Sequence, residues 1–476
     1  MKKSLAIISL GLMSSSIMAS SYIYQPTGSS LVLGGYGNRH ALSTAGGNPA
    51  SSYLMANLQG FRVGFVGPLG IGVEGGGIED INDKLDELEA IFDEDFVDRI
   101  NVDAIKAQAQ SIQSSSGTAA ADAYVVSEIA SVLSDINDSL DQSDAIISDI
   151  SQTTYVKFAT TMQAPFLPII YKTRRRGVFS IDAGASLVGR ADIISDELTL
   201  TGVSDLEAVT TASDLNTVDV SDADIESDTS LYLKRASDYR VSVGYSEMVS
   251  RSTSNALIVG GRLNFHRFAL DQKVTVLTED DDSSVSYGDF FLSRDSAVSN
   301  VSLDLGVLLA GRNYQIGASI ANINEPEFDY KGLSSSCSGM TAADQSNCEA
   351  ALRLSSKGAF SLNETYTMEA QMTLDAAIKS KDQHFSIGGS YDVNPIKDPL
   401  GDEYQWSVVS LSYFSDNWVL PGMRVGIRKN MVGNELNYYT AGLTFYRRLD
   451  FDVAYAPEND EGNSGVYVSA GYSFAF

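Results

Sequence analysis

Few residues in this chain have the type and spacing that chemistry requires. The three histidines, His40, His266 and His384, lie far apart in sequence. No Gly-x-Ser-x-Gly elbow and no phosphate-binding loop occurs. A Ser-His-Asp arrangement could still assemble in space, with His266 or His384 taking Ser and Asp from neighbouring strands. Nothing in the sequence singles one out, so no catalytic residue is assigned and the chain is read as not an enzyme. Cys337 and Cys348 enclose ten residues. In an exported chain with two cysteines the expectation is a disulfide that stiffens a loop. Asp222, Asp224, Glu226 and Asp228 alternate, so an extended backbone would set four carboxylates on one side, a possible cation site. The glycine and spacing of an EF-hand are absent, and a solvated loop is the plainer reading. Asp280-Asp281-Asp282 is a weaker version of the same pattern. No metal and no cofactor is assigned.

The elements that carry these residues are short and alternating. The chain has 476 residues, with 40 Gly, 23 Tyr, 19 Phe and 2 Cys. Its aromatic content excludes a long disordered chain. After the N-terminus no run reaches the roughly 18 apolar residues of a membrane helix. The net charge of −28 excludes a nucleic-acid-binding face. Alternation recurs in Phe179-Ile181-Ala183-Ala185-Leu187, Tyr239-Val241-Val243-Tyr245, Val301-Leu303-Leu305-Val307 and Phe451-Val453-Tyr455, with Ser, Asp or Arg between. One apolar face and one charged face suit a strand with lipid outside and a polar lumen inside.

The two ends give an address. Residues 1–19 read as a signal peptide: Met1-Lys2-Lys3, an apolar stretch from Leu5 to Ile17, and small residues at Ala19 and Ser21. The last strand sets Val466, Val468, Ala470, Tyr472, Phe474 and Phe476 on one face, up to the final residue. Tyr472, Phe474 and Phe476 are the expected signal to the barrel-assembly machinery, and the expected location is the outer membrane of a Gram-negative bacterium, with its lipid as partner.

The fold class that follows is all-β: an antiparallel outer-membrane β-barrel of about 14 strands, with an N-terminal plug and an α-helical external insert. Residues 20–58 form the plug segment, where Asn48 caps a short helix that Pro49 and Ala50 begin. Residues 59–476 form the barrel. Counting back from the terminus places strands near 59–75, 153–170, 177–190, 230–248, 255–266, 299–309, 313–323, 353–361, 365–377, 404–414, 419–429, 435–446, 449–456 and 465–476. Val274–Phe291 and Phe385–Val393 also alternate and are assigned to hairpin extensions above the membrane. If they join the wall, the count becomes 16 or 18. Residues 79–150 hold 18 acids against Lys84, Arg99 and Lys106, a net of −15, and residues 191–228 hold 11 acids and no base. The first of these inserts changes period: Ile81, Leu85, Leu88, Ile91 and Phe92, then Val125, Ile129, Val132, Leu133, Ile136 and Leu140, recur at helical spacing. Two or three amphipathic helices are expected, separated by a break at Gln108–Gly117, while 191–228 reads as an acidic loop.

Asn48-Pro49-Ala50, the strand Phe61–Gly75 with Gly67-Pro68, and the insert opening Ile81-Asn82-Asp83-Lys84-Leu85 resemble the conjugal transfer TraF-type outer-membrane family. So do Leu303-Asp304-Leu305-Gly306, the run Ala321 to Phe328, and the end from Trp418 to Phe476. That family is similar to the long-chain fatty acid transporter barrels, which implies 14 strands, a plugged lumen and external helical loops. Other proteins called TraF resemble thioredoxin. This chain has no Cys-x-x-C, so that role does not carry over. The resemblance implies a barrel that binds or passes small hydrophobic molecules, with a lipophilic ligand as partner. The alternative is a non-transporting barrel in conjugative transfer or envelope assembly, whose acidic helices dock an envelope protein.

Overall fold

A computed structural model describes residues 28–56, 61–77, 81–92, 100–173, 177–277, 290, 297–414, 417 and 419–475. The signal peptide, the Asp280–Asp282 run and Phe476 lie outside the described residues. Two short helices come first, α1 (Ser30–Leu33) and α2 (Ser52–Met55). The wall then starts with β1 (Phe61–Gly76) and continues, after an insert, with β2. β2 is one interrupted strand, Tyr155–Gln163 and Ile169–Lys172, whose two parts both pair with β1 on one side and with β3 (Gly177–Ile194) on the other. The break at 164–168 includes the cis peptide Leu167–Pro168. β4 (Ser230–Arg251), β5 (Asn255–Val276), β6 (Val298–Gly311) and β7 (Tyr314–Ala321) follow. The remaining strands are β8 (Gln371–Lys379), β9 (Phe385–Asp392), β10 (Trp406–Tyr413), β11 (Gly422–Asn430), β12 (Asn437–Phe445), β13 (Leu449–Ala456) and β14 (Asn463–Ala475). Each pairs antiparallel with its sequence neighbour, and β14 pairs with β1, so 14 strands close a barrel.

The total matches the sequence expectation, but two strands differ. Residues 353–361 are not a strand. They overlap the helix Ala342–Ser356, which Thr341 caps by accepting the Asp344 amide and which buries Ala350, Ala351 and Leu354. That spacing is helical, and the alternation drew on too few residues to override it. Phe385–Asp392 is a wall strand, because Ile387 and Tyr391 face outward in register with Leu411 and Ser407 of β10. Val274–Val276 does prolong a hairpin, at the top of β5.

The alternation sorts as a membrane wall requires. Val241, Val243, Leu303, Leu305, Val409, Leu411, Val425 and Ile427 are exposed outside, while Arg240, Ser242, Asn264, Asp304, Ser410, Arg424 and Asp452 are buried within. β4 and β5 have 22 residues each, against 8 or 9 in β7 to β13. A tilted membrane strand needs about 9–11 residues, so one side of the barrel stands above the bilayer. There Ser230–Asp238 is buried at every position rather than at every second one, because protein covers both faces.

With β14 running toward the short-turn end, every long connection falls at the opposite end. The first insert supplies α3 (Ile81–Phe92), α4 (Val102–Ser116) and α5 (Thr118–Thr153). The predicted break at 108–117 is instead helix up to Ser116, and Gly117 at φ +90° makes the joint alone. Val125, Ile129, Ile136, Leu140, Ile147 and Ile150 of α5 pack with Leu85, Leu88, Ile105 and Ala109. Leu198, Val203, Leu206, Val209 and Leu215 join the same cluster. The second acidic segment is therefore part of the helical domain rather than a solvated loop. Among the described residues, no helix is long and apolar enough to cross a membrane.

Candidate functional site: the plugged lumen

Residues 28–56 fill the lumen, and Asn48 fixes them to the wall. Its Oδ1 accepts the Ala50 amide at 3.0 Å, the cap expected from Asn-Pro-Ala. Its Nδ2 lies 3.1 Å from the Val307 carbonyl, 3.3 Å from the Ala318 carbonyl and 3.1 Å from Asp375 Oδ2. The backbone comes this close because the facing wall residues are glycines. A Cβ on Gly306 would stand 2.1 Å from Asn48 Oδ1, and one on Gly260 would stand 2.6 Å from the Ala50 nitrogen. Elsewhere the Gly35 amide donates to Ser390 Oγ, Gln315 Nε2 donates to the Gly37 carbonyl, and Arg262 reaches the carbonyls of Ala45 and Gly47.

Above the plug lies a cavity of about 120 Å³, lined by Gly34, Gly47, Asn48, Arg240, Arg262, Asn264, His266, Asp304, Asp392, Trp406 and Arg428 among others. Most of its charges are matched. Arg262 Nε donates to Asp304 at 2.9 Å. Asp392 accepts from Thr373 Oγ1, Gln371 Nε2 and the Trp406 amide.

The outer half of the lumen is aromatic and apolar. Phe268 from β5 meets Phe328 and Tyr366, which belong to the small hairpin Glu327–Asp329 and Thr365–Thr367, at ring distances of 4.6 and 5.9 Å. Met368, Ile396, Leu400, Tyr404, Trp406 and Tyr438 extend the cluster. Polar groups latch this layer at its rim. Buried Lys157 of β2 donates to Asp398, to Asp402 at 2.6 Å and to Tyr404 Oη at 2.7 Å, which ties the loop 393–405 into the mouth. Glu74 accepts from Tyr438 Oη at 2.6 Å and Tyr467 Oη at 2.8 Å.

The histidine that could have joined a triad does so. His266 Nδ1 is 3.0 Å from Asp238 Oδ2, and Nε2 is 3.1 Å from Ser302 Oγ, which also accepts from Asn264 Nδ2 at 3.0 Å. This is the order of groups in a serine hydrolase. Ser302 is, however, 0 % exposed and does not line the cavity, so its oxygen offers no face to a substrate. The trio ties β4, β5 and β6 together. His40 stacks on Phe414, and His384 lies beside Tyr413.

The other expected sites fall outside the lumen. Cys337 and Cys348 are bonded, with Cα atoms 5.7 Å apart, and pin the loop to the helix that contains Cys348. The acidic quartet does not converge. Asp224 and Glu226 flank Ile225 on a small strand paired with Thr199–Thr201, and Asp228 is taken by Arg353. Among the described residues, no three or more His, Cys, Asp or Glu are grouped to hold a metal ion. Tyr472 pairs with Val66 and Leu449, and Phe474 pairs with Val63. Sequence reasoning missed Arg428, Trp406 and the Lys157 latch. The signal for the first was present: Arg424, Gly426 and Arg428 alternate with Met423, Val425 and Ile427, which marks the arginines as lumenal.

A family model described as "F plasmid transfer operon, TraF, protein" matches residues 46–392. No curated protein matches the sequence. Among solved structures, the chain is similar to the CymD monoaromatic hydrocarbon channel at 10% identity and a TM-score of 0.44, covering 96% of this chain and 99% of that one. It is similar to a Pseudomonas aeruginosa FadL homologue at 9% identity and a TM-score of 0.41, covering 97% and 99%. It is also similar to the Pseudomonas putida toluene transporter TodX at 10% identity and a TM-score of 0.36, covering 97% and 99%.

Proposed function

The chain belongs to the family of the F plasmid transfer operon protein TraF, and from that premise we propose an outer-membrane barrel that binds or passes small hydrophobic molecules. The observation that carries this reading is the layering of the lumen. A plug of small residues lies below, a polar cavity sits on it, and a cluster of aromatic and aliphatic side chains fills the outer half. A barrel that served solely as a scaffold has no need of an apolar layer inside, where it competes with water-filled or salt-bridged packing. Phe268, Phe328, Tyr366 and Met368 pack against one another in that layer, and Met368 also lines the cavity, so a lipophilic molecule in the cavity meets the edge of an apolar layer. Its lipid setting and export signal agree with a Gram-negative outer membrane. The signal peptide 1–19, the terminal assembly signal and the absence of catalysis belong to the same reading.

The second reading, a docking role in envelope assembly, draws on the helical domain. Its apolar stripes pack mainly on one another, with Ile193 at the end of β3 against them, and its outer faces are acidic, so it presents a charged surface.

Uptake of a lipophilic fluorescent probe by cells with an intact lipopolysaccharide layer separates the two. Expression should raise the uptake rate above that of an empty-vector strain. Gly306→Val, which drives a side chain into Asn48, should displace the plug and raise the rate several-fold further. An uptake rate equal to the vector control for both proteins would leave the docking role, which predicts instead that removing residues 79–153 abolishes copurification of a partner.

A further inference from the structure

The two ends of the barrel carry opposite charge. Both acidic segments, 79–150 and 191–228, lie at the end of the long connections. The rim at the short-turn end is basic. Arg251 ends β4, Arg312 lies between β6 and β7, Lys381 between β8 and β9, and Arg447 and Arg448 between β12 and β13. Arg251, Arg312, Lys381 and Arg447 are exposed, and Arg448 is partly so. Two acids share this rim in the described residues, and both are engaged locally. Asp382 accepts from Ser380 Oγ and from the His384 amide, and Glu247 accepts from Tyr245 Oη at 3.0 Å. Asp450 points into the lumen, where Arg424 and Thr444 hold it. Two connections lie partly outside the described residues, and their sequences add Arg174, Arg175, Arg176 and Asp416. The cations stand just beyond a belt of outward rings. Tyr171, Phe179, Tyr245, Phe385 and Tyr446 are each about half exposed, and Phe179–Tyr245 and Phe385–Tyr413 pair at ring distances of 5.0 and 4.6 Å. Such a belt marks the depth at which acyl chains meet headgroups. The β12–β13 turn keeps its side chains against the preference of its backbone. The Arg448 amide closes it on the Phe445 carbonyl, and Tyr446 and Arg447 between them take φ of 50° and 59°. Asn-Gly adopts that backbone with less strain, so the turn alone does not explain a ring and a guanidinium there.

We propose that this rim is a docking surface for anionic phospholipid headgroups in the leaflet on its side of the membrane, of the phosphatidylglycerol type. Guanidinium and ammonium groups at headgroup depth match phosphate oxygens. Each basic side chain near an anionic surface strengthens attachment about fivefold, and the effect fades within a Debye length. The side chains of Arg251, Arg312 and Lys381 have no hydrogen-bond or ion-pair partner among the described residues, so their donors are open to a phosphate. A lipid fits this rim better than an acidic protein does. The cations are spread over four turns beside an aromatic belt, as a ring of headgroups is, rather than gathered into one patch. The proposal rests on the membrane setting of the barrel and is independent of what the lumen binds.

The test uses the full mature chain, folded in a zwitterionic detergent, with equal amounts of phosphatidylglycerol and phosphatidylcholine of the same acyl chains. Native mass spectrometry reads the ratio of the two lipids retained. Phosphatidylglycerol should be retained at least tenfold more, and the ratio should shrink as ammonium acetate rises from about 0.1 to 0.5 M. Joint replacement of Arg312, Lys381, Arg447 and Arg448 by Gln should cut the ratio at least fivefold. Lys331→Gln with Lys397→Gln, at the opposite end, should leave it within twofold. A further variant separates lipid binding from folding. Tyr446→Asn with Arg447→Gly suits the turn, so it should raise the temperature of the heat-dependent gel shift and yet lower the lipid ratio. Equal retention of the two lipids by the unaltered chain overturns the proposal. So does a preference that survives the fourfold replacement, or one that the opposite-end variant loses as fully. Poly-glutamate binding without any lipid preference also overturns it, and makes the rim a protein-docking surface instead.

Discussion

The barrel and its helical domain are built inside out relative to each other. In the barrel, side chains such as Val409, Val425 and Ile427 face outward, and Arg424, Asp452 and Asp304 are buried. In the domain of α3, α4 and α5, Ile136, Leu140 and Ile147 are buried and the acids face outward. Each arrangement answers its solvent. A lipid-facing wall gains nothing by hiding apolar groups, so its interior is free to be polar, provided each buried charge is matched. The domain stands in water, where only the burial of its apolar stripe opposes the mutual repulsion of its carboxylates. The two regions should therefore fail for different reasons, and that difference can be tested.

The largest effect is expected in the lumen. Arg424 is 0 % exposed, and its guanidinium donates to both oxygens of Asp452, to Thr444 and to Asp450. Arg424→Met keeps much of the volume but strands two carboxylates. The loss should be about 3–5 kcal/mol, as for a broken buried pair. The urea midpoint of the barrel, followed by gel mobility without heating, should fall accordingly. Adding Asp452→Leu should recover part of the loss, because it removes one stranded charge. An unchanged midpoint in the single variant would mean that water, not Arg424, balances these acids.

The corresponding change in the domain removes apolar volume. Ile136 of α5 is fully buried in the helical cluster. Ile136→Ala should cost the domain about 2–5 kcal/mol and leave the gel mobility of the barrel as it was. Far-ultraviolet circular dichroism should show helix lost at a lower temperature than sheet. Simultaneous loss of both signals would show that the domain and wall unfold as one unit, and the contrast between the regions would be one of composition alone.

The same contrast explains what the sequence made legible. Period two with charges on one face revealed the wall, because lipid and lumen impose opposite preferences at consecutive positions. Val125, Ile129, Ile136 and Leu140 revealed a helix in the same way. Where both faces are covered, as at Ser230–Asp238, alternation disappears, and the extent of the tall hairpin could not be read. Phe385–Val393 does alternate, but alternation alone does not separate a wall strand from a hairpin extension above the membrane; its place in the wall is fixed by packing such as that at Gly389, where a Cβ would strike the Val408 carbonyl at 2.2 Å. Asn48, Pro49 and Ala50 were identified as the plug motif, but their partners Val307, Ala318 and Asp375 lie some 260 to 330 positions away. The cavity is assembled from one to three residues per strand. Its pairings depend on barrel closure and register, which no local pattern encodes. The misread strand at 353–361 was offset by the omitted strand at 385–392, so the even count survived.

The smallest effect concerns a single carboxylate in the domain. Asp144 on α5 accepts the Leu198 amide at 2.9 Å, which joins the two acidic segments. Burial raises its pKa above the ordinary 3.8, the Leu198 amide opposes that shift, and the charges of Glu197, Asp141 and Asp196 add to it. A carboxyl whose folded pKa exceeds its unfolded one binds its proton more tightly when folded. It therefore favours folding at low pH, and this contribution is lost as pH rises from the ordinary carboxylate value through the raised one. At neutral pH the charged form works against the domain. Asp144→Asn keeps an oxygen for the Leu198 amide and removes the charge, so the helix melting temperature at neutral pH should rise slightly, by less than about 0.5 kcal/mol in stability terms. The variant should also lack the part of the pH dependence that Asp144 supplies between those two values, measured as the difference from the parent so that other acids cancel. Asp214 and Asp219, whose pKa values are lowered by the backbone amides of Thr210, Thr211 and Ser221, contribute in the opposite sense and cancel in that difference. A lower melting temperature in Asp144→Asn would mean that the charge itself strengthens the bond to Leu198, and that repulsion is not what limits the domain.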